Sequence, residues 1–122
     1  MKLIRLTVII LSLIFPLSVA INSYRFGYGL NDAFWRTLVA PVEGTIWAPQ
    51  FDESKFSKIR IGMNAPEVVK LIGEPFRKNC DKEDCFWIYT KLETGLPGYD
   101  QRWLIFDLAE RVIEVRKSFE LD

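Results

Sequence analysis

Residues 59–75, with the sequence IRIGMNAPEVVKLIGEP, carry the signals that end one helix and then begin and end another. Gly62 permits a tight turn, since glycine adopts backbone conformations that other residues avoid. Asn64 can cap the next helix, and Pro66 suits its first turn, where a missing N–H costs little. The sequence Gly-Glu-Pro at 73–75 ends that helix. The stretch therefore predicts two short helices joined by a tight turn.

Apolar residues in both helices recur at helical spacing, which predicts one buried side for each helix. In the first helix, which Asp52 or Ser54 can open, Phe56 and Ile59 share that side. The apolar side of the second helix comprises Val68, Leu71 and Ile72. We expect Met63, in the turn, to fill the gap between the two helices.

From Cys85 onward the apolar pattern alternates, as is typical of β-strands, and aromatic and β-branched residues are frequent. Three strands are predicted, over residues 85–91, 101–107 and 111–119. We expect them to form an antiparallel meander. The predicted fold class is α+β, with two short helices packed on one face of a three-stranded antiparallel sheet.

The first two strands are apolar on both sides, although an antiparallel sheet covered on one side should alternate apolar with polar residues. Leu104 and Phe106 are expected on the side of the helices, together with Ile113 and Val115 of the third strand. Four apolar residues are expected on the other side, which needs a cover: Trp87, Tyr89, Trp103 and Ile105. An N-terminal arm is the favoured cover and another protein the alternative, since large uncovered apolar patches are uncommon on soluble monomers.

The N-terminal arm, residues 21–51, is too rich in aromatic residues to be a disordered linker. Its three alternating aromatic residues predict a short extended segment: Tyr24, Phe26 and Tyr28. A helix capped at Asn31 or Asp32 is expected to run to about Val39, because Pro41 prevents its continuation. The arm leads into the α+β domain, residues 52–122.

Residues 1–20 have the features of an export signal. Two basic residues precede the apolar run 6–15, Pro16 breaks the run, and the small residues that follow suit a signal peptidase. Cleavage after Ala20 is the favoured interpretation. An uncleaved anchor is the alternative, because residues 3–21 are nearly long enough to cross a bilayer as a helix. In both cases the remainder of the chain is exported.

Together with the aromatic runs CFWIYTKL at 85–92 and RWLIFDLAERVIEV at 102–115, residues 59–75 resemble the SmpA/OmlA (BamE-like) family of small cell-envelope proteins. The signature of that family is a Gly-Met turn, an EV-containing helix, a G-x-P stop and three antiparallel strands. The resemblance covers about Phe56 to Lys117. The matching fold residues are Gly62, Met63, Val68, Gly73 and Pro75.

The resemblance implies a non-catalytic scaffold in the periplasm or at the periphery of the outer membrane, accessory to outer-membrane protein assembly, with other envelope proteins as partners. Family members are often lipoproteins tethered through a cysteine at the cleavage point. Ala20 and Ile21 occupy that point here, so lipid anchoring is not expected. A related unit occurs as a tandem repeat in proteins that block β-lactamases. The second hypothesis is therefore a single-unit inhibitor or ligand-binding module of the periplasm.

Cys80 and Cys85 flank the acidic sequence DKED. In an oxidising compartment a structural disulfide is the favoured interpretation, with free thiols as the alternative. A ring this short would stabilise the fold by about 2 kcal/mol in the chain-entropy description. Redox or metal use is disfavoured, because redox pairs are usually spaced C-x-x-C and structural zinc needs two further ligands.

The chain has no histidine, which excludes Ser-His-Asp and Cys-His catalysis and histidine-containing metal sites. Carboxylate catalysis by Asp100, Asp107, Glu110 or Glu114 is disfavoured, since these residues are expected on turns and strand exteriors. The sequence also lacks a phosphate-binding glycine loop in the required context. We therefore expect no enzyme activity, no cofactor, no metal and no small-molecule substrate.

The charges of the chain argue against a nucleic-acid partner. Its 16 basic and 16 acidic residues cancel, and without the two basic residues of the leader 14 basic residues face 16 acidic ones, a net charge of −2. Nucleic-acid binding depends on a basic surface that releases counterions from phosphates.

The loop over residues 93–100 is the best candidate for a contact surface outside the sheet. Leu96 and Tyr99 are apolar residues at its expected tip, and loops held by a rigid sheet often carry binding residues. The alternative is a plain hairpin connection whose Tyr99 lies on the sheet. Leu96 and Tyr99, together with Trp87, Tyr89 and Trp103 of the uncovered side, are the predicted interaction residues.

Overall fold

Residues 1–42 and 44–122, the part of the chain that the computed structural model describes, contain four α-helices, one short 3-10 helix (Ala40–Val42) and six β-strands. The helices are α1 (Lys2–Phe26), α2 (Leu30–Val39), α3 (Glu53–Phe56) and α4 (Ala65–Ile72). The strands are β1 (Thr45–Trp47), β2 (Arg77–Cys80), β3 (Asp84–Ile88), β4 (Thr90–Leu92), β5 (Gly98–Asp107) and β6 (Val112–Leu121). The predicted α+β class is confirmed.

The strands form two antiparallel sheets, so the predicted single sheet of three strands is wrong. The larger sheet has the order β2-β3-β5-β6, and β1 pairs with β4 in a two-stranded sheet. Strand β2 was missed because all four of its residues are exposed and its sequence, RKNC, lacks apolar alternation. The predicted strand 85–91 is divided at Tyr89. There the Arg102 N–H donates to the Thr90 hydroxyl at 2.9 Å rather than to a backbone carbonyl.

The turn and caps between α3 and α4 are as predicted. The Asn64 side chain accepts from the Glu67 N–H at 2.9 Å, and the Glu67 carboxylate accepts from the Asn64 N–H at 3.0 Å, which forms a capping box. Gly62 and Gly73 have φ values of 91° and 75°, in the region that favours glycine. Asp52 caps α3 by accepting from the Lys55 N–H at 2.9 Å.

The main core lies between α3, α4 and one side of the large sheet, which we call the first face. Its buried members from the helical segment are Phe56, Ile59, Ala65, Val68 and Ile72, and those from the strands and the β3–β4 junction are Trp87, Tyr89, Leu104, Phe106 and Val112. Met63 and Leu71 are partly buried and pack against this core. The predicted buried side of the helix pair is thus confirmed, with Met63 at its margin.

The pairing of β3 with β5 corrects the predicted faces of the sheet. Trp87 lies opposite Leu104, so Trp87 and Tyr89 belong to the first face and not, as predicted, to the side of Trp103 and Ile105. Alternation within a strand gives its two sides. It does not say which side pairs with which side of a neighbour when both are apolar.

A β-bulge in β6 changes which of its residues face the core. Phe106 pairs with Val112 and Ile105 with Glu114, which leaves Ile113 as the extra residue. Val112 is fully buried, whereas Ile113 is 46% exposed, so the predicted core position of Ile113 is wrong. Val115 packs against the core as predicted.

The N-terminal arm differs from its predicted conformation. Helix α1 runs through Pro16 to Phe26, so Tyr24 and Phe26 are helical rather than extended. A helix that has already formed extends at little cost, and Gly27, with φ 66°, ends it in the left-handed conformation. The predicted helix ending at Val39 is confirmed as α2, but Gly29 and not Asn31 or Asp32 precedes it.

The arm does not cover the second face of the sheet, the side of Trp103 and Ile105. Phe26, Tyr28 and Ala33 form a second hydrophobic cluster with Phe119. Phe119 pairs with Asp100 across β5 and β6, and Asp100 is in phase with the first-face residue Leu104. The arm therefore packs beside the α3–α4 pair on the same side of the sheet, and the prediction that it covers the other side is wrong.

A disulfide joins Cys80 and Cys85, as the sequence predicts. The two residues face each other at the end of the β2–β3 hairpin. In the acidic turn, the Asp81 carboxylate accepts from the N–H groups of Asp84 at 3.0 Å and Glu83 at 2.7 Å, which lowers the pKa of Asp81. The disulfide thus closes the edge hairpin of the sheet.

Ile72→Ala should lower the free energy of unfolding by about 2–5 kcal/mol, because Ile72 is fully buried and its loss leaves a cavity. Chemical denaturation in detergent measures this change. Lys70→Ala is the matched control, since Lys70 is exposed on the same helix and its substitution should have little effect. Equal stabilities of the two variants would contradict the assigned core.

Replacing both cysteines by serine should reduce the free energy of unfolding by about 2 kcal/mol, the entropy contribution of a short ring. The unfolding midpoint of the Cys80→Ser, Cys85→Ser variant is compared with that of the wild type, with and without reductant. Reductant should destabilise only the wild type. A wild type that is insensitive to reductant would show that the bond makes no contribution.

Candidate functional site

A buried arginine lies on the first face between the two hydrophobic clusters. Arg102 of β5 is 0% exposed, and its guanidinium donates to both carboxylate oxygens of Glu53, at 3.0 Å from Nε to Oε2 and 3.1 Å from Nη2 to Oε1. Its Nη1 donates to the Tyr28 hydroxyl at 2.6 Å. Lys117 of β6 lies 2.8 Å from Glu53 Oε1. Arg102 therefore joins the sheet to α3 and to the segment between α1 and α2.

A second buried charge, Asp100, joins the sheet to the arm. It accepts from the Tyr28 hydroxyl and from Arg36 of α2, at 2.9 Å from Nε and 3.2 Å from Nη2. Arg36 also donates to the Asn22 side chain of α1 at 3.2 Å, and its guanidinium lies 3.9 Å from the centre of the Phe26 ring. Tyr28 thus bridges Asp100 and Arg102.

The surroundings of Tyr28 and Arg102 shift the pKa values of both side chains. Burial, the main cause, raises the pKa of Tyr28; the Asp100 charge and hydrogen bond raise it further, against the opposing effect of Arg102. For Arg102, burial would lower the pKa, but the hydrogen bonds to Glu53 and Tyr28 and the charge of Glu53 give a net increase. Tyr28 remains a protonated donor and Arg102 a cation at neutral pH. Both are committed to structural hydrogen bonds.

A cleft of about 560 Å³ opens beside the network. Its wall includes residues of α1, α2 and α3 as well as the network itself: Arg25, Phe26, Arg36, Trp47, Glu53, Ser54, Ser57 and Asp100. Arg36 pairs with Asp100, and Glu53 pairs with Arg102 and Lys117. Most charges at this cleft are therefore already neutralised by a partner within the chain.

The second face of the sheet has an apolar centre and a polar rim. Ile88 and Ile105 are buried there, and Phe86 and Trp103 are half-buried and form an edge-to-face pair with ring centres 6.4 Å apart. The register places polar residues at both edges: Arg77 and Asn79 on β2, and Glu114 and Arg116 on β6. Helices α3 and α4 bury their apolar sides in the main core on the opposite face, and α1 and α2 contribute Phe26 and Ala33 to the second cluster there.

The predicted interaction residues are distributed over three places. Trp103 and Tyr99 both lie on the second face and are half-buried. Trp87 and Tyr89 are buried in the main core, where the Tyr89 hydroxyl donates to the Gly73 carbonyl at 2.9 Å. Leu96 lies in the β4–β5 loop, half-buried against Gly44, and leaves no room for a side chain there.

The residues matched to the family signature belong to the helix pair and the segment that follows it, not to an exposed site. Gly62, Met63, Val68 and Gly73 define the turn, the packing and the end of the helix pair, and Pro75 follows that end. Cys80 and Cys85 are bonded to each other at the edge of the sheet.

Sequence reasoning missed the buried network of Tyr28, Arg36, Glu53, Asp100 and Arg102. A signal was available for two of its members. Asp100 and Arg102 alternate in phase with Leu104 and Phe106, the residues expected to face the helices. Charged residues in phase with a core face predict buried, paired charges.

Among residues 1–42 and 44–122, α1 is the single helix long and apolar enough to cross a membrane. In the same part of the chain, no three His, Cys, Asp or Glu residues come close enough together to hold a metal ion.

Comparison of the sequence with models of known protein families finds no match, and comparison with curated proteins finds none either.

Tyr28→Phe should reduce the loss of stability at high pH. Folding raises the pKa of Tyr28 above its ordinary value of 10.0, so the protonated side chain stabilises the folded state. This contribution to the free energy of unfolding is complete below pH 10 and is lost as the pH rises above it towards the folded-state pKa. The free energy of unfolding is measured in detergent between about pH 8 and pH 11, on both sides of the ordinary tyrosine value. Tyr24→Phe is the control, since Tyr24 is 93% exposed. The same alkaline decline in both variants would contradict the assignment.

Proposed function

We propose that this chain is an exported, non-catalytic module of the cell envelope that holds other envelope proteins, as an accessory to outer-membrane protein assembly. The second face of the sheet carries the proposal. Phe86, Trp103 and Tyr99 remain half-buried there, while the apolar sides of α3 and α4 are engaged on the opposite face. Apolar surface rimmed by polar residues is typical of protein-interaction sites.

Location outside the cytoplasm is supported by two features of the molecule. The N-terminal helix α1 has the composition of a signal or an anchor. The Cys80–Cys85 disulfide fits an oxidising compartment such as the periplasm. Together they favour the periplasm or the periphery of the outer membrane as the site of action.

A non-catalytic role is supported by the state of the buried polar groups. An acid, base or nucleophile must be free to reach a substrate in the required protonation state. Tyr28, Asp100 and Arg102 are buried, and each forms hydrogen bonds with the others or with Arg36 and Glu53. These bonds hold the elements of the fold together.

The alternative is a periplasmic inhibitor or ligand-binding module made of a single unit. The cleft beside the charged network favours it, because Arg25, Ser54 and Ser57 add polar groups to an opening of about 560 Å³. A ligand there would meet charges that are largely paired already, which makes the second face the stronger site.

Trp103→Lys should abolish the capture of barrel-assembly components by the tagged full chain from detergent-solubilised envelopes, because it places a charge in the apolar centre of the second face. Tyr99→Lys tests the same face from a neighbouring position and should reduce capture. Leu108→Lys is the matched control, since Leu108 is 70% exposed in the β5–β6 turn. Near-UV circular dichroism confirms that each variant is folded.

Unchanged capture by both second-face variants would refute the proposed binding surface. Recovery of one soluble hydrolase, in place of barrel-assembly components, would support the inhibitor instead.

A further inference from the structure

Helix α2 exposes an apolar stripe that no part of the fold explains. Leu30, Phe34 and Leu38 are four residues apart and share one side of the helix, with Trp35 beside them. Their exposed fractions are 73%, 39%, 51% and 37% in the order Leu30, Phe34, Leu38 and Trp35. The opposite side carries the fully buried Ala33 and the paired Arg36. The helix therefore packs its smaller apolar residues, Ala33 and Val39, inward and leaves its larger apolar side chains outward.

Contacts with α1 show how the two sides of α2 are oriented. The Phe34 ring meets the Phe15 ring edge-on, with centres 5.5 Å apart. On the polar side, Asn22 accepts from Arg36 at 3.2 Å and donates to Thr37 at 2.8 Å. Phe15 and Asn22 are about 10 Å apart along α1, at 1.5 Å per residue. The apolar side of α2 thus faces the apolar part of α1, and its polar side faces the end of α1 that joins the domain.

The length of α1 matches a bilayer. Residues 6–24 contain no charged side chain, and Arg5 and Arg25 lie at the two ends of this segment. As a helix it is about 28 Å long, close to the hydrocarbon thickness of about 30 Å. If α1 spans the bilayer, Asn22, which bonds to α2, lies about 5 Å along the helix from the boundary at Arg25, and Phe15, which contacts Phe34, lies about 15 Å from it. The polar side of α2 then lies near the boundary, and its apolar side faces the hydrocarbon.

We propose that α1 remains attached as a membrane-spanning anchor and that α2 lies in the adjoining boundary layer of the same bilayer, with Phe34, Trp35 and Leu38 against lipid. The occupant of the α2 stripe is thus the membrane itself. Tryptophan, phenylalanine and leucine are typical of the apolar side of helices that lie in this layer, and Arg36 is turned away from it towards Asp100.

The packing of α1 also explains why the anchor is retained. The candidate cleavage point after Ala20 lies inside α1, whereas proteases prefer exposed, irregular chain. Val19, on one side of this point, packs against the second hydrophobic cluster, and Asn22, on the other side, bonds to α2. Cleavage would remove Phe15 and Val19 from the packing that holds α2.

The test uses the purified full chain in phosphatidylcholine nanodiscs, with a spin label on a cysteine introduced at Leu38. The native cysteines are bonded to each other and do not react. Ile61→Cys is the matched control, since Ile61 is also apolar and 64% exposed but lies in the turn before α4. Electron paramagnetic resonance measures the accessibility of each label to oxygen, which enters lipid, and to a nickel chelate, which stays in water.

We expect the ratio of oxygen to nickel-chelate accessibility to be several-fold higher at position 38 than at position 61. We also expect mass spectrometry of the membrane-bound protein from cells to show residues 1–20 still attached. Equal, water-like ratios at both positions would overturn the placement of α2. A mature chain beginning at Ile21 would overturn the retained anchor. Neither measurement depends on a protein partner, so this proposal can fail while the proposed function stands.

Discussion

The buried guanidinium of Arg102 is the contact on which the arrangement of the fold depends. A charge without water is costly unless opposite charge and hydrogen bonds surround it. Glu53 supplies the carboxylate and Tyr28 a hydroxyl, and these two residues come from distant parts of the chain. The sheet, α3 and the arm must therefore converge at one point on the first face. An arm that lay elsewhere would leave Arg102 and Asp100 incompletely paired.

This convergence explains why two hydrophobic clusters lie side by side rather than on opposite faces. The main core is built by α3 and α4 on the part of the sheet that holds Leu104 and Phe106. Beyond Arg102, the same face continues to Phe119, where the arm packs. The charged network separates two apolar regions on one surface, and the second face is left to the sheet's own side chains.

The helix pair could be predicted from sequence because its signals are local. Gly62, Asn64 and Gly73 act on their immediate neighbours, and the spacing of Val68 and Ile72 gives the buried side directly. The faces of the sheet depend instead on register. When two strands are apolar on both sides, a shift of one residue in their register exchanges the sides without exposing a polar side chain to the core, so the sequence does not select one register. The bulge at Ile113 likewise depends on how β6 pairs with β5. On the second face, the side on which Trp103 lies could be predicted from alternation, whereas Tyr99 was expected at a loop tip and lies in β5. The contacts of Tyr28 and Arg36 with Asp100 join residues too far apart in sequence for any local pattern.

Only three residues, Gly27, Tyr28 and Gly29, connect α1 to α2. This short connection limits how far the folded domain can move relative to α1. Three residues extend about 10 Å at most, and the side chain of the middle one is held by Asp100 and Arg102. A long flexible linker would let a domain take many positions relative to the helix before it, whereas this short connection holds the domain in one orientation relative to α1. If α1 is the membrane anchor proposed above, a protein bound by the domain is held at one height and one angle relative to the lipid, and the two molecules meet by lateral diffusion in the membrane plane.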